Sequence, residues 1–179
     1  MGTPSFSANT RAVLQVSLPL MLSMAAVTVM EFTDRIFLAN YDLDAIAAAM
    51  PAGMLAFLFI TLFANVAAYV NVFIAQNIGA GQQAEVGAIV WQGLYFSAFA
   101  WGCLILLGLC GPWLFELGGH PPAIQALEVT YFRILCMGAG PHVVASCCSG
   151  FFAGLGRTRP IFVVNFIGML VNIPLDYAL

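Results

Sequence analysis

Two uncharged runs set the limits on what this chain can fold into: neither Ala12 to Met30 nor Ala45 to Ala84 contains a single formal charge. A helix needs about 20 consecutive apolar residues to cross the hydrocarbon of a bilayer. Similar runs recur all the way to Leu179, so the chain reads as one packed set of membrane helices rather than a water-soluble domain with an anchor. Composition agrees: 62% of residues are hydrophobic, 7% are charged and the mean hydropathy is +0.97, whereas soluble domains carry about 25% charged residues. With five arginines, no lysine and a net charge of −3, neither nucleic-acid binding nor a basic membrane-surface patch has a basis in the sequence. Cys103, Cys110, Cys136, Cys147 and Cys148 fall in apolar segments without a CxxC pair, and they read as small buried hydrophobes. The first apolar segment is too long for the h-region of a cleaved leader, and further spans follow it.

Charged and turn-forming residues divide the chain into five segments. The first runs from Ala12 to about Leu38, and Asp42 and Asp44 mark a short loop after it. Ala45 to Ala84 holds a long helix that stops at Gly79 and Gly81 in "NIGAGQQAE". A third segment covers Val86 to about Leu109, and "CGPWLFELGGHPPA" reads as an outer loop with Pro and Gly breaking the helix at both ends. The fourth, from about Ile124 to Ala153, is interrupted at "GAGPH", where Pro141 removes a backbone donor and bends the helix. The "GLGRTRP" turn, Gly154 to Pro160, leads into the fifth. The expected fold is all-α: a single transmembrane domain over residues 1–179, a bundle of about five transmembrane helices, because each backbone polar group in lipid must be satisfied within its own segment. Arg11, Arg157 and Arg159 fall on one side if the helices alternate, and Asp42, Asp44 and Glu116 fall on the other. That distribution predicts a plasma-membrane protein with a cytoplasmic N-terminus.

Lipid penalises charge, so the polar residues that remain need a reason. A charge at the bilayer centre costs about 2.5–3.5 kcal/mol on translocon scales. Glu31 and Arg35 stand four apart on one face, in the favourable order for a helix-end ion pair. Asp34 is left without a partner on its own helix. Asn165, Asn172 and Asp176 form a stripe spaced i, i+7, i+11 on the fifth helix. Counting the helical rise from Arg11 and Arg159 puts both lone carboxylates in the outer half of the membrane, given tilt and a bend at Pro19. Two carboxylates with amide oxygens form a hard-oxygen site for Na⁺ or a proton; the alternative is a set of interhelical hydrogen bonds that only hold helices together. Asn65, Tyr69 and Gln76, spaced i, i+4, i+11 on the second helix, either line an aqueous cavity or bond to neighbours. His142 reads as a satisfied intramembrane residue, and Arg133 as a snorkelling one.

Several stretches together resemble the multidrug and toxic compound extrusion (MATE) family. "SLPLML" looks like the family's opening helix with its bending proline, "FTDRIFLANYDLDAIAAAMP" like the end of that helix and the start of the next, and "IAQNIGAGQQAEVG" like the following turn. "YFRIL" and "GFFAGLGRTRPIFVVNFIGMLVNIPLDYAL" are similar to helices four and five. The resemblance implies a secondary antiporter of two six-helix lobes that exports amphipathic or cationic compounds in exchange for Na⁺ or H⁺. It also implies a coupling-cation site formed by Asp34, Asn172 and Asp176. Arg35 stands where a small or apolar residue is usual, which favours Na⁺ over H⁺. Helix six and the second lobe are absent from these residues, so the implied partners are a C-terminal lobe, the bilayer and small amphipathic substrates. A lipid-linked oligosaccharide flippase of the same superfamily and a non-transporting membrane subunit are the alternatives. No Ser/His/Asp arrangement, nucleotide loop or metal-ligand spacing points to an enzyme or to a cofactor.

Overall fold

Helix accounts for the structure almost throughout. The computed structural model describes residues 6–41 and 43–178, with side chains described at Thr10, over residues 13–37, and over residues 47–177 apart from Asp176. The expectations placed on the side chains of Arg11, Asp42, Asp44 and Asp176 therefore lie outside the described residues. In chain order the helices are α1 (Phe6–Tyr41), α2 (Leu43–Ala68), α3 (Val70–Gly79), α4 (Val86–Leu109), α5 (Gly111–Glu116), α6 (Pro122–Gly154) and α7 (Arg159–Ala178). Among the described residues, four stretches are long and apolar enough to cross a membrane: Val13–Phe37, Ala47–Gly79, Gln83–Leu109 and Pro122–Gly154. Arg159–Leu175 is a shorter apolar helix. Four spans and a shorter fifth match the all-α reading.

Local chemistry explains where the helices differ from the segments read in the sequence. The run from Ala45 to Ala84 is two helices hinged at Tyr69, whose N–H is shared between the Asn65 and Val66 carbonyls at 3.1 and 3.2 Å. A donor split between i−4 and i−3 marks a tightened turn rather than a break. After Gly79 the chain turns at Gly81, whose φ of +77° is open to glycine at little cost. The stretch read as a loop around "GPWLFE" contains α5, started by Pro112 in its first turn. Of the five cysteines, Cys136 and Cys147 are buried as expected, while Cys110 and Cys148 are exposed on outward helix faces. Those faces are apolar elsewhere too, with Phe57, Phe99 and Trp91 largely exposed, as suits a surface solvated by lipid.

The chain divides into two compact units, Met1–Phe37 with Gly156–Leu179, and Leu38–Leu155. In the second unit α6 is the central element. Gly53 lies against Tyr131, Gly150 against the Ala68 carbonyl and Gly154 against the Asn71 carbonyl, so α6 runs parallel to α2 and α3. It runs antiparallel to α4, because Gly93 meets Cys147 while Gly108 meets Cys136. A Cβ at Gly150 would sit 2.5 Å from a backbone oxygen, a distance that only glycine permits at such a crossing. Val70, Ile74, Leu104, Val143 and Cys147 belong to one buried cluster, and Ala52, Ala56, Phe115, Phe132 and Cys136 form another.

The interruption expected at "GAGPH" is not there: α6 continues through Pro141. Proline removes the N–H that would have bonded the carbonyl four residues earlier, that of Met137. The Trp101 indole N–H on α4 donates to that carbonyl at 2.9 Å, and the ring packs on Gly140. The orphaned acceptor is satisfied by a neighbouring helix, which lets the proline stay in a continuous span. Trp101→Phe should therefore lower thermal stability in detergent by about 1–3 kcal/mol. In a Pro141→Ala background, where the alanine N–H bonds Met137 again, the same change should cost less, and additive costs in the double-mutant cycle would refute the pairing.

Candidate functional site

In the first unit, three contacts fix how α7 lies on α1. Thr158, just ahead of α7, is buried and its hydroxyl donates to the Val16 carbonyl at 3.0 Å. Two turns further along, the Asn165 amide donates to Ser23 Oγ at 2.6 Å. The partners are 142 residues apart in both bonds, so the two helices are parallel and in constant register. The Phe37 and Tyr177 rings, 6.3 Å apart between centroids, keep the two helices side by side at the far end, at an offset of 140 residues.

This register orders the residues singled out from the sequence. Position 34 on α1 comes level with position 176 on α7, and position 172 with position 30. At about 3.6 residues per turn, positions 16, 23 and 34 share one face of α1, as do 158, 165, 172 and 176 on α7. Asp34 and Asn172 are both half-buried. Glu31 and Arg35 are exposed one turn apart on α1. Asn165 spends its amide on Ser23, itself only 3% exposed. Pro19 lies inside α1 between the first two contacts.

The polar stripe on the second span is divided. Asn65 and Tyr69 line a groove of about 590 Å³ between α2, α3 and α4, together with Phe73, Gln92 and Phe96. Tyr69 meets Phe73 edge to face at 5.6 Å. Gln76, two turns beyond Tyr69, is exposed on α3 and outside that lining. Asn71 turns inward, and its Oδ1 is buried with no hydrogen-bond partner among the described residues. Arg133, read as snorkelling, buries its Nε without a partner among the described residues.

One polar residue escaped the sequence reading altogether. Glu128, in the second turn of α6, is 0% exposed, and its Oε1 lies 2.8 Å from His120 Nδ1. The signal was present, a single carboxylate in "QALEVTYF". Among the described residues, no group of three His, Cys, Asp or Glu side chains is placed to hold a metal ion.

Long apolar helices, four of them long enough to span a bilayer, are those of a multi-pass membrane protein. The MatE family model matches residues 19–178, and the chain belongs to that family, which is a family of transporters. Three solved structures share its fold. They are a MOP-superfamily transporter from Pyrococcus furiosus whose binding pocket of reversed polarity suggests a different function (TM-score 0.85), a MATE in complex with MaD3S (0.86), and an outward-facing multidrug resistance MATE transporter of the MOP superfamily (0.83). Each is 23% identical over 92% of this chain and 37% of its own. This chain thus spans well under half the length of the transporters it resembles.

If the Asn165–Ser23 bond holds the register, Asn165→Leu and Ser23→Ala should each lower thermal stability by about 1 kcal/mol, the usual worth of an interhelical hydrogen bond in a membrane. The double variant should cost little more than either single one. Additive losses measured by thermal unfolding in detergent would assign the two residues to separate roles.

Proposed function

We propose that this chain is the cation-coupling part of a secondary antiporter, one that exports amphipathic or cationic compounds in exchange for Na⁺ or H⁺. The reading is supported by the parallel register of α1 and α7, by which positions 34 and 176 of the backbone fall at one level. Support also comes from family membership and from the half-burial of Asp34 and Asn172. In this reading Asp34 and Asp176 supply carboxylate oxygens and Asn172 an amide oxygen, the donor set a small hard cation prefers. Occupancy by Na⁺ or a proton relieves the repulsion between two acids in a low-dielectric setting. Release to the other side of the membrane requires the remainder of a two-lobed transporter, whose halves rock about the bound substrate. The groove bordered by Asn65, Tyr69 and Gln92 offers amides and aromatic faces without charge, suited to the polar and aromatic parts of an amphipathic compound. The protein is placed in the plasma membrane with its N-terminus in the cytoplasm, following the positions of Arg11, Arg157 and Arg159.

Equilibrium binding of ²²Na⁺ to the chain in liposomes tests the coupling site directly. Asp34→Asn and Asp176→Asn should each weaken binding by about tenfold or more, since each removes one ligand charge. In cells expressing the reading frame that encodes the chain, the same changes should abolish dye efflux driven by Na⁺ or by protons. Binding and efflux both unchanged would leave these residues as packing groups and the chain as a non-transporting membrane subunit.

A further inference from the structure

Two exposed amides, Asn65 and Gln92, face the groove between α2, α3 and α4, and no hydrogen bond to a described residue engages either. Resting on the reading of this groove as a compound-binding surface, we propose that it binds an uncharged aromatic compound carrying a hydrogen-bond donor and acceptor. Its rings lie against Tyr69, Phe73 and Phe96, and its polar group meets the two amides.

A close crossing builds the site. Gly93 of α4 lies against Val70, where an added Cβ would sit 2.7 Å from the valine Cγ1. The missing side chain lets α4 approach α3 at the tightened turn, so the neighbours of the contact, Gln92 on one helix and Tyr69 on the other, enter the same lining. Because α4 runs antiparallel to α2 and α3, Phe96 follows one turn from Gln92 in the direction of Asn65, while Phe73 closes the other end. Each amide therefore has an aromatic wall beside it. The rings are themselves held: Tyr69 meets Phe73 edge to face at 5.6 Å, and Phe96 lies 6.4 Å from Phe63 and 6.5 Å from Phe99 between centroids. The volume of about 590 Å³ falls within the range of about 300–1,000 Å³ that small-molecule sites occupy.

Depth and charge select the occupant. Asn65 stands near the middle of the span Ala47–Gly79, and Gln92 about two and a half turns into the span Gln83–Leu109. Acyl chains offer nothing to an amide at that depth, so a lipid tail in the groove would leave donors and acceptors of both residues unpaired. The occupant has to bring hydrogen-bonding atoms of its own. It also has to be uncharged there, because the described lining contains no Asp, Glu, Lys, Arg or His. A cation would give up its hydration with no carboxylate to meet it, and ring faces return less than that loss.

Photolabelling of the chain in nanodiscs tests this with 4-benzoylbenzamide, an uncharged two-ring amide that inserts into nearby C–H bonds on illumination. Labelling mapped by mass spectrometry should saturate and should fall within residues 62–73 and 89–96, the stretches that line the groove. Asn65→Leu and Gln92→Leu should each weaken it by about fivefold or more, the effect of leaving one polar partner unmet. Val66→Trp, which fills the groove from an exposed position, should abolish it, whereas Gln76→Leu, on α3 but outside the lining, should change nothing. The quaternary analogue (4-benzoylbenzyl)trimethylammonium, at equal concentration in the membrane, should label the groove about tenfold less. Labelling that spreads without saturation over the apolar faces would mean a groove filled by lipid tails, and no labelling at all would mean one closed by another part of the protein. Either result overturns the proposal, as does equal labelling by the cation or indifference to both amide substitutions. Should an amide variant lose its helical circular dichroism, Val66→Trp and the comparison of the two probes decide. Sodium binding and dye efflux are read at Asp34 and Asp176, so the antiporter reading and this one fail separately.

Discussion

Every polar group that enters hydrocarbon must find its hydrogen-bond partner within the protein, and several side chains here find theirs on their own helix. Thr28, Thr33, Ser97, Thr130 and Ser146 each donate to the carbonyl four residues back on their own helix, and Asn77 does the same. Such hydroxyls and amides are satisfied locally and do little to select a partner. The informative ones reach across. Trp101 answers the carbonyl freed by Pro141, Thr158 answers Val16, and Asn165 answers Ser23. Each of these three bonds joins two helices and fixes their register.

Close approach gives those bonds their leverage. A helix pair in lipid gains little from the hydrophobic effect, because acyl chains are as apolar as leucine, so association depends on contact between backbones. The glycines in the C-terminal half of α6 supply it, with Gly150 on the Ala68 carbonyl and Gly154 on the Asn71 carbonyl, while Gly140 makes room for the Trp101 ring. The same crowding explains why Glu128 is enclosed. It lies one turn before Phe132, which is itself fully buried and meets Phe115 edge to face at 5.4 Å.

Much of this was legible in the residues. Uncharged runs, glycine turns and the Arg157–Arg159 turn located the spans to within a few residues, since length and charge are the two quantities lipid reads most strictly. The stripe of Asn165, Asn172 and Asp176 was visible as periodicity. Periodicity cannot say which helix lies opposite, so Ser23 went unnoticed until the register was known. Nor could it say that α6 would pass straight through Pro141, because the compensating donor sits on another helix. Gln76 shows the reverse error: it shares a spacing with Asn65 and Tyr69, but the tightened turn at Tyr69 separates it from the groove they line. Glu128 was missed because a carboxylate near a helix end is usually exposed, and burial is a property of the packed neighbours rather than of the sequence around it.

The orientations of the helices follow from counting crossings. Consecutive spans must alternate, so α4 and α6 are antiparallel, whereas α2–α3 and α6, with one span between them, are parallel. Three spans separate α1 from α7, which makes them parallel as well. This parity holds only because α5, six residues long and about 9 Å at the helical rise, is too short to cross. Parallel neighbours that start level stay level along their whole length, so the offset set by Thr158 on Val16 and by Asn165 on Ser23 carries on along α1 and α7 toward positions 34 and 176.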